Sequence, residues 1–577
     1  MTNQYGPKTK AADALHATKY REPGEDYREA MNRVAFALKD DDAHYHEFRS
    51  IILAMRFLPA GRVQRAMGST TATTPYNCYV AGKIEDSFVD GAGSIMDRAK
   101  EAAATMRMGG GIGYDFSTLR PEGALIKKLR SRSSGPRAFM DIFDAVCRAT
   151  ASSGHRRGAQ MGVLRVDHPD IETFIRAKQN DSALLGFNVS VAVTDAFMRA
   201  VAAGTGFDLT WGGEVHRTVD AAALWETLMR STYDWAEPGV LFIDRINEQN
   251  NLRYCETIAA TNPCGEQPLP PFGACLLGSF NLTQYLKARI GLDAIGLRGP
   301  HSWDFDYDQF VADVPTVVRA MDNVVDRARY PLAEQRAEAI TKRRMGLGVT
   351  GLANAGEAVA GPYGSPKFLA FERRVLTLLR DEAYRASANL AREKGAFPLY
   401  DEVRYNDSPF VKNLPEDVRA LILKNGIRNS HLTSIAPTGT ISMTADNVSS
   451  SIEPVYEYVT SRPVNTPDGV AIMTVEDYGA GVLGIAGKRT AEVTAREHVD
   501  VLVAAQEFVD SAVSKTCNVT GEMPWDDFKR IYVDAWERGA KGCTTFNKDG
   551  KRAGLLSSGE ESAVCEIDPS TGRRECA

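Results

Sequence analysis

Short apolar segments that run straight into helical patterns constrain the fold of this chain more than any other feature. The segment Phe187–Val193 has the composition of a buried strand, and Asp195 follows it as the cap of a helix over residues 196–203. The same alternation recurs from about Pro75 onward. Strand-to-helix units of this kind are typical of α/β proteins. We therefore predict an α/β fold for most of the chain.

Two further regions carry strong helix signals. Apolar residues recur at helical spacing between residues 26 and 57, with one polar interruption, which predicts a pair of amphipathic helices. The longest predicted helix covers residues 367–394, with Ser365 as its N-cap, Pro366 at its first position and Gly395 as its stop. We assign its apolar stripe to core packing.

Length and composition indicate a large soluble enzyme. The chain has 577 residues, of which 44% are hydrophobic, so it requires two or more domains or one large barrel. A formal charge of -6 and a pI near 6.0 argue against a nucleic-acid-binding face. We find no apolar leader and no apolar run long enough to span a bilayer, so we expect a cytoplasmic protein without membrane contact.

The nine cysteines are scattered along the chain and form no framework of close spacings. An odd number of irregularly spaced thiols is typical of a reducing compartment, where a conspicuous cysteine is more often catalytic or redox-active than structural. No Cys-x-x-Cys pair occurs. We therefore expect neither a zinc ribbon nor a thioredoxin-type site, and no metal bound directly by the protein.

One cysteine stands out because of its neighbours. Cys264 lies in the segment Asn262-Pro263-Cys264-Gly265-Glu266, and a second thiol, Cys275, follows after a short loop. The Cys264 thiol can act as a nucleophile or radical carrier, Glu266 as an acid or base, and Asn262 as a hydrogen-bond donor to a substrate oxygen. The alternative is a structural loop, because Asn-Pro and Cys-Gly also punctuate loops of many kinds.

The segment 434–442 combines hydroxyl groups with a glycine and has the composition of an anion site. At its centre are Pro437, Thr438, Gly439, Thr440 and Ile441. If a helix begins near Thr440, its free backbone N–H groups would complete a phosphate site without any lysine. The alternative is a plain turn, in which Pro-Thr-Gly-Thr also occurs.

Two glycine-containing segments suggest further close approaches. Residues 109–113 resemble a dinucleotide fingerprint only superficially, because no buried strand pattern precedes them, so we predict a close backbone approach to a ligand or strand. The second segment joins two arginines and flanking glycines, which suits a phosphate clamp, although arginine pairs are also common on surfaces. It consists of Gly154, His155, Arg156, Arg157, Gly158 and Ala159. The absence of a Walker-type motif argues against a kinase or ATPase.

The chain changes character after residue 556, where small and polar residues predominate. Cys565 and Cys576 lie in this part, which we expect to be mobile rather than packed. Two thiols on a mobile arm can move between sites. The alternative is an accidental pair of exposed thiols, or half of a metal site that lacks its other ligands.

Taken together, these motifs resemble those of the catalytic chain of ribonucleotide reductases, and most closely those of its class II, adenosylcobalamin-dependent branch. The resemblance covers residues 58–546 in the family's order. It implies a ten-stranded α/β barrel over residues 76–546, with Cys264 at the tip of a central finger loop. A small N-terminal helical region (1–75) and a flexible tail with redox cysteines (547–577) complete the predicted organisation.

The resemblance also implies a role for each residue of the central site. Cys264 would become a thiyl radical, and Glu266 would take the proton of the 3′-hydroxyl group. Asn262 would hydrogen-bond the sugar hydroxyls. Cys78, in the sequence Tyr-Asn-Cys-Tyr, and Cys275 would form the dithiol that supplies two reducing equivalents and ends as a disulfide.

The outer motifs receive roles in the same way. The resemblance implies that residues 437–441 hold the substrate phosphates and that residues 154–159 carry a signal from a specificity effector to the substrate base. Cys565 and Cys576 would reduce the spent disulfide by thiol exchange. The implied partners are a ribonucleotide, a dNTP or ATP effector, thioredoxin or a similar reductant, and a second copy of the chain in a homodimer. By analogy with dimeric relatives we expect diphosphate substrates.

Adenosylcobalamin is the radical source that the resemblance implies, and it would carry the cobalt. Residues 543–547 lack the adjacent tyrosines of class I chains, and no glycyl-radical motif of class III is visible. One alternative keeps the fold but makes this the large subunit of a class I enzyme. The others are a nucleotide-binding regulatory protein without catalysis, and a zinc- or thiol-based interaction protein built around the tail.

Overall fold

The computed structural model describes residues 5–150, 159–179, 184–291, 296, 298–466, 469–551, 565–567 and 574–576. Strands and helices alternate through most of this part of the chain, so the predicted α/β class is confirmed. None of the described helices is both long enough and apolar enough to cross a bilayer.

The helices cover much of the described chain and are numbered in chain order. They are α1 (Lys10–Tyr20), α2 (Tyr27–Leu38), α3 (Asp42–Leu53), α4 (Gly61–Ala66), α5 (Ile95–Arg107), α6 (Gly135–Thr150), α7 (Ile171–Ile175), α8 (Asp195–Ala203), α9 (Ala221–Trp235), α10 (Ile243–Glu248), α11 (Tyr307–Arg327), α12 (Ala333–Lys342), α13 (Leu352–Val359), α14 (Pro366–Lys394), α15 (Glu402–Asn406), α16 (Pro409–Lys412), α17 (Glu416–Asn425), α18 (Gly439–Thr444), α19 (Ala495–Gln506) and α20 (Trp525–Glu537).

The strands are mostly short. They are β1 (Phe57–Pro59), β2 (Cys78–Val80), β3 (Gly111–Asp115), β4 (Leu125–Ile126), β5 (Ser131–Arg132), β6 (Gln160–Arg165), β7 (Phe187–Val193), β8 (Gly206–Trp211), β9 (Glu214–Asp220), β10 (Gly239–Phe242), β11 (Ala260–Thr261), β12 (Pro268–Leu269), β13 (Ala274–Cys275), β14 (Leu277–Asn281), β15 (Leu286–Ala288), β16 (Trp303–Phe305), β17 (Gly346–Thr350), β18 (Val459–Thr466), β19 (Gly469–Glu476), β20 (Thr516–Val519), β21 (Gly542–Asn547), β22 (Cys565–Ile567) and β23 (Arg574–Cys576).

Two sheets organise the centre of the molecule. The larger has eight strands in the order β13-β2-β3-β6-β7-β10-β21-β20. Strands β2, β3, β6, β7 and β10 run parallel to their neighbours, whereas β13 and β21 are antiparallel to β2 and β10. The smaller sheet has the order β1-β14-β17, with β14 and β17 parallel. The remaining described strands pair as two-stranded ribbons.

The strand ladders of the described residues do not close into one ten-stranded barrel. Isolated parallel bridges join Leu347 to Thr433 and Ile435 to Val513, on the side of the small sheet that leads toward β20. These are single bridges, so they do not extend the sheet as a ladder of paired residues would. The larger and smaller sheets therefore remain separate in their hydrogen-bond pairing, which differs from the predicted closed barrel.

The strand-to-helix unit that fixed the fold class forms as expected, with a shift of one residue at the cap. The side chains of Phe187–Val193 are buried except for that of Asn188, which is partly exposed, and α8 follows directly after Thr194. The N-cap is Thr194, whose hydroxyl accepts from the N–H of Phe197 at 3.2 Å, and Asp195 is the first helical residue. The N-cap assignment of Asp195 was therefore wrong, because Thr194 meets the same need one residue earlier.

The longest helix, α14, begins and ends where the sequence predicts. The Ser365 hydroxyl accepts from the N–H of Phe368 at 3.3 Å, Pro366 occupies the first turn, and Gly395 ends the helix at a φ of 82°. Its apolar side packs against α11, α17 and α19. Full burial of each large apolar side chain contributes about 1.5–3 kcal/mol, so this helix is a core element.

The N-terminal region contains the predicted pair of helices, α2 and α3, and a further helix that the sequence did not predict. Asp26 caps α2 in a reciprocal capping box with Glu29. The additional helix, α1, is capped by Thr9 and buries Ala12 and His16. Its apolar residues are mainly alanines and its buried face includes a histidine, so no clear apolar period indicates a helix in the sequence.

Candidate active site

Cys264 lies in the turn of a tight β-hairpin. Strands β11 and β12 pair in antiparallel register on either side of it. The N–H of Gly265 donates to the carbonyl of Asn262 at 3.1 Å, and Gly265 has a φ of 84°, which only glycine adopts without strain. The N–H of Gln267 donates to Oδ1 of Asn262 at 2.9 Å. The asparagine and glycine of the motif therefore build the turn that presents Cys264.

Three other segments hold this hairpin in place. The Asn188 side chain, on β7, donates from Nδ2 to the carbonyl of Pro263 at 2.8 Å. The Glu266 carbonyl accepts from the Ser434 hydroxyl at 3.0 Å and from the N–H of Ala512 at 2.9 Å. The backbone around Cys264 and Glu266 is therefore fixed by β7 of the large sheet and by the two segments that contain Ser434 and Ala512.

Cys78 and Cys275 face each other on neighbouring strands. They are direct register partners in the antiparallel pair of β2 and β13. Both are buried, at 3% and 0% exposure, and neither forms a disulfide. Side chains at directly opposite positions of an antiparallel pair lie close together. The two thiols named by the resemblance as a dithiol are thus neighbours across the sheet.

The hairpin and the two facing cysteines meet at one point. A Cβ atom placed on Gly111 would lie 3.1 Å from Sγ of Cys78 and 3.2 Å from Cγ of Pro263. Burial, reinforced by the Glu266 carboxylate and by the thiols of Cys78 and Cys264, raises the pKa of Cys275 well above its usual range. Glu266, Cys78 and Cys264 therefore all lie near enough to Cys275 to affect its ionisation.

The predicted close approach at residues 109–113 is an approach to this hairpin. Helix α5, which ends at Arg107, precedes this segment in place of a strand, as expected, and Gly111 and Gly113 lie on β3. A Cβ atom on Gly113 would fall 1.9 Å from the carbonyl oxygen of Thr261, which is far inside contact distance. Glycine at Gly113 lets β3 pass directly beside the strand that leads into Cys264.

We expect Gly113→Ala to destabilise the protein by about 1–3 kcal/mol, because the added methyl group must displace Thr261. The shift should also lower activity, since Thr261 leads into the Cys264 turn. Urea unfolding measures the free energy, and Gly204→Ala is the control. Gly204 has a φ of 62° with open space around it, so alanine there costs about 1 kcal/mol of backbone strain only. Activity loss equal in both variants would contradict the close approach.

The Asn262 amide is available to a ligand. The side chain is fully buried, and within the described part of the chain its Nδ2 atom has no hydrogen-bond partner. Buried polar atoms are nearly always paired, so an unpaired donor beside a thiol calls for a partner that the protein alone does not provide. This geometry agrees with the predicted donation to a substrate oxygen.

The predicted phosphate segment lies next to this site. Helix α18 begins at Gly439, close to the predicted start at Thr440, and Thr438 precedes it with a φ of 57°. The Thr438 hydroxyl lies 2.9 Å from the Thr350 hydroxyl and accepts from the N–H of Ser451 at 2.7 Å. Residues 437–441 follow directly on the segment that contacts Glu266. Thr350 and Ser451 were missed, because nothing in the local sequence ties them to this loop.

Two predicted segments are described only in part. Gly154, His155, Arg156, Arg157 and Gly158 lie outside the described residues, and Ala159 accepts from the N–H of Ile112 at 2.9 Å through its carbonyl. In the tail, β22 and β23 form an antiparallel ribbon in which Cys565 and Cys576 are register partners. The mobility of the tail as a whole stays a prediction, because most of residues 552–577 lie outside the described part of the chain.

Strand β21 covers the stretch where class I chains carry two adjacent tyrosines. It reads Gly-Cys-Thr-Thr-Phe-Asn and lies between β10 and β20 in the large sheet. It contains no tyrosine. Strand β21 itself therefore contributes no redox-active phenol.

Comparison with known proteins agrees with this site. The family model of the ribonucleotide reductase barrel domain matches residues 77–478 and 488–546. The match covers most of the chain and includes every residue of the hairpin and both facing cysteines. The chain therefore belongs to the ribonucleotide reductase family.

Individual relatives are similar over nearly the whole chain. A vitamin B12-dependent ribonucleoside-diphosphate reductase of Mycobacterium tuberculosis (strain CDC 1551 / Oshkosh) is 32% identical, over 93% of this chain and 78% of the relative. An enzyme of the same name from Thermoplasma acidophilum is 31% identical, over 91% and 69%. The ribonucleoside-diphosphate reductase subunit alpha of Chlamydia muridarum is 26% identical, over 74% and 44%.

Proposed function

We propose that this chain reduces ribonucleoside diphosphates to 2′-deoxyribonucleotides by thiyl-radical chemistry that adenosylcobalamin initiates. The observation that carries the proposal is the convergence of Cys264, Glu266 and the facing pair Cys78 and Cys275 at one buried point. The relatives from Mycobacterium tuberculosis and Thermoplasma acidophilum are named as vitamin B12-dependent ribonucleoside-diphosphate reductases, which supports both the cofactor and the diphosphate substrates.

In this proposal the protein groups share the hydrogen, proton and electron transfers. A thiyl radical on Cys264 removes the hydrogen atom from C3′ of the ribose, and Glu266 accepts the proton of the 3′-hydroxyl. One thiol of the pair Cys78 and Cys275 donates a proton to the leaving 2′-hydroxyl, which departs as water. The other thiol gives a hydrogen atom to C2′, and the two sulfurs join as a disulfide after supplying two electrons. Glu266 returns its proton to the 3′-oxygen, and Cys264 returns its hydrogen atom to C3′. Ribonucleotide and dithiol thus give deoxyribonucleotide, disulfide and water.

The electrostatics of the pair suit proton donation. Because burial and nearby acidic groups raise the pKa of Cys275, its thiol stays protonated at neutral pH. A protonated thiol can give its proton to a leaving hydroxyl, whereas a thiolate cannot. General acid–base assistance of this kind is typically worth about two to four orders of magnitude in rate.

The site fits a radical source that arrives from outside. Cys264 is partly exposed, whereas Cys78 and Cys275 are buried, so Cys264 is the member of the three that an approaching cofactor can reach. Strand β21 offers no tyrosine pair for an internal radical path. Adenosylcobalamin supplies, when bound, a carbon-centred radical. The chain itself supplies the partly exposed thiol of Cys264, held in a rigid turn, as the acceptor of the radical.

We further propose that the two sheets together form the ten-stranded barrel of the family. The chain passes from β13 in the large sheet to β14 in the small one after a single residue. At the other side, the bridges Leu347 to Thr433 and Ile435 to Val513 lead from β17 toward β20. A closed barrel would place the Cys264 hairpin inside as the finger loop, with residues 437–441 at the substrate phosphates.

One turnover without an external reductant should leave a single new disulfide between Cys78 and Cys275. The two residues already face each other, so bond formation requires little movement. Rapid mixing with substrate and cofactor, quenching with an alkylating agent and peptide mass mapping measure it. Cys147, a buried thiol on α6, is the internal control and should remain reduced. Product formed without this disulfide would overturn the proposed function.

The tail is proposed to reduce that disulfide through Cys565 and Cys576. Their register partnership in the β22 and β23 ribbon supports a role as a pair. The double variant Cys565→Ser and Cys576→Ser should lose turnover with thioredoxin but retain it with dithiothreitol, which reaches the site directly. Steady-state assays with each reductant test this. Equal loss with both reductants would contradict a shuttle role.

A homodimer and a dNTP or ATP specificity effector complete the proposal. Large apolar side chains are exposed near helices α5 and α6, and a second copy of the chain would cover them. They are Phe88, Val89, Met96, Leu125 and Leu129. The effector signal is assigned to residues 154–159, and thioredoxin or a similar donor is the proposed reductant.

A further inference from the structure

Two buried charged residues, Lys541 and Asp510, lie behind the candidate active site. Lys541 directly precedes β21 and is 4% exposed. Its Nζ atom donates to the backbone carbonyls of Asp510 and Ser511, at 2.6 Å in both cases. Burial lowers the pKa of Lys541 to about 8, although Asp510 opposes the shift. A buried ammonium that is bound to two carbonyls fixes the backbone of the segment that carries them.

The Asp510 side chain fixes a second segment. Its Oδ2 atom accepts from the N–H of Leu432 at 2.7 Å and from the Tyr384 hydroxyl at 2.7 Å. Its Oδ1 atom accepts from the N–H of Thr433 at 3.1 Å and from the Ser511 hydroxyl at 3.3 Å. Two of these four donors are the amides of residues 432 and 433, so the carboxylate fixes the chain immediately before Ser434.

Each of these two segments is followed by a residue that donates a hydrogen bond to the same atom of the hairpin, the carbonyl oxygen of Glu266. Ala512 follows the carbonyls that Lys541 binds, and its N–H donates to the Glu266 carbonyl at 2.9 Å. Ser434 follows the amides that Asp510 binds, and its hydroxyl donates to the same carbonyl at 3.0 Å. The segment from Ser434 then continues into residues 437–441.

From these contacts we propose that Lys541 is a positioning residue that sets the place of Glu266 and of the phosphate segment 437–441 through Asp510. The inference rests on the proposed function for the roles of Glu266 and the phosphate segment. Lys541 acts only through the backbone of residues 510–512 and the carboxylate of Asp510. Misplacement of a reacting group by about 1 Å can lower a rate 100-fold, so a distant lysine can control turnover in this way.

The variant Lys541→Met keeps the length of the side chain and removes its donors. We expect kcat to fall about tenfold or more and the substrate KM to rise, because both Glu266 and the phosphate segment shift. Lys342→Met is the matched control. Lys342 is also largely buried, but its Nζ pairs with the side chains of Glu256 at 2.9 Å and Glu338 at 3.2 Å instead of with the backbone of residues 510 and 511. Its kcat should stay within about twofold of the wild type.

A double-mutant cycle separates positioning from general stability. On the Glu266→Gln background, Lys541→Met should cause almost no further loss of kcat, because the group that it positions is already gone. The same loss on both backgrounds would overturn the proposal, as would a kcat for Lys541→Met within about twofold of the wild type. Should Lys541→Met fail to fold, Asp510→Asn replaces it in the same cycle, with the same expected and contrary results.

An activity-free readout keeps this test separate from the proposed function. The Ala512 amide is protected by its bond to the Glu266 carbonyl, so Lys541→Met should speed its hydrogen exchange while Lys342→Met should not. Unchanged exchange at Ala512 would overturn the positioning role even in an enzyme of another activity. An inactive wild type with faster exchange in Lys541→Met would overturn the proposed function alone.

Discussion

Replacing Cys264 with alanine should reduce nucleotide reduction to background while leaving the fold intact. Cys264 is the only sulfur in the hairpin turn, and no other side chain there can form a thiyl radical. Loss of a residue that forms a covalent or radical intermediate removes nearly the whole rate enhancement of such a site. The turn itself is built by Asn262 and Gly265, so the variant should melt within a few degrees of the wild type. Product assays and thermal unfolding measure both quantities.

The matched control for Cys264 is Cys255→Ala. Cys255 is an exposed free thiol earlier in the same part of the chain and takes part in neither the hairpin nor the facing pair. Its replacement should leave the rate of reduction unchanged. If Cys264→Ala still reduces nucleotides, or if Cys255→Ala loses as much activity, Cys264 does not carry the radical.

Glu266→Gln should lower kcat by about two to four orders of magnitude with little effect on substrate KM, because glutamine cannot take the 3′-hydroxyl proton. Glutamine has nearly the same shape, and the contacts of Ser434 and Ala512 are to the backbone carbonyl at this position, so they persist. The loss of kcat therefore measures the contribution of the carboxylate and not a change in the position of the hairpin. Steady-state kinetics with saturating cofactor and effector give the two constants.

Glu372 provides a buried glutamate for comparison. It lies on α14 with 0% exposure, and burial raises its pKa well above the usual range, which favours the uncharged form. Glu372→Gln keeps the shape of the side chain at a position outside the hairpin, and kcat should change by no more than about twofold. A large loss in Glu372→Gln, or a small one in Glu266→Gln, would show that the assignment of the base is wrong.

Local patterns predicted those features that depend on residues close together in sequence. The caps of α14, the pair of helices α2 and α3, and the turn around Cys264 all follow from short-range rules of this kind. Gly111 and Gly113 also indicated that the backbone passes close to another part of the protein. They did not indicate that this part is the strand before Cys264. Helix α1 escaped prediction because its buried face is small and partly polar.

Contacts between distant segments could not be read from the residues alone. Nothing near Cys78 indicates that it faces Cys275, since strand pairing depends on the whole sheet, and only the family resemblance brought the two together. The same limit applies to Asn188, Ser434 and Lys541, whose polar side chains are ordinary in sequence. Their importance comes from the backbone atoms that they bind around the hairpin.

The most direct test of the proposed function is reduction of a ribonucleoside diphosphate by the purified chain with adenosylcobalamin, effector and dithiothreitol, and with no second protein. We expect the 2′-deoxy product from the wild type and none from Cys264→Ala. No product from a folded, cofactor-saturated wild type would contradict the proposal and favour a class I chain that requires a radical-generating subunit.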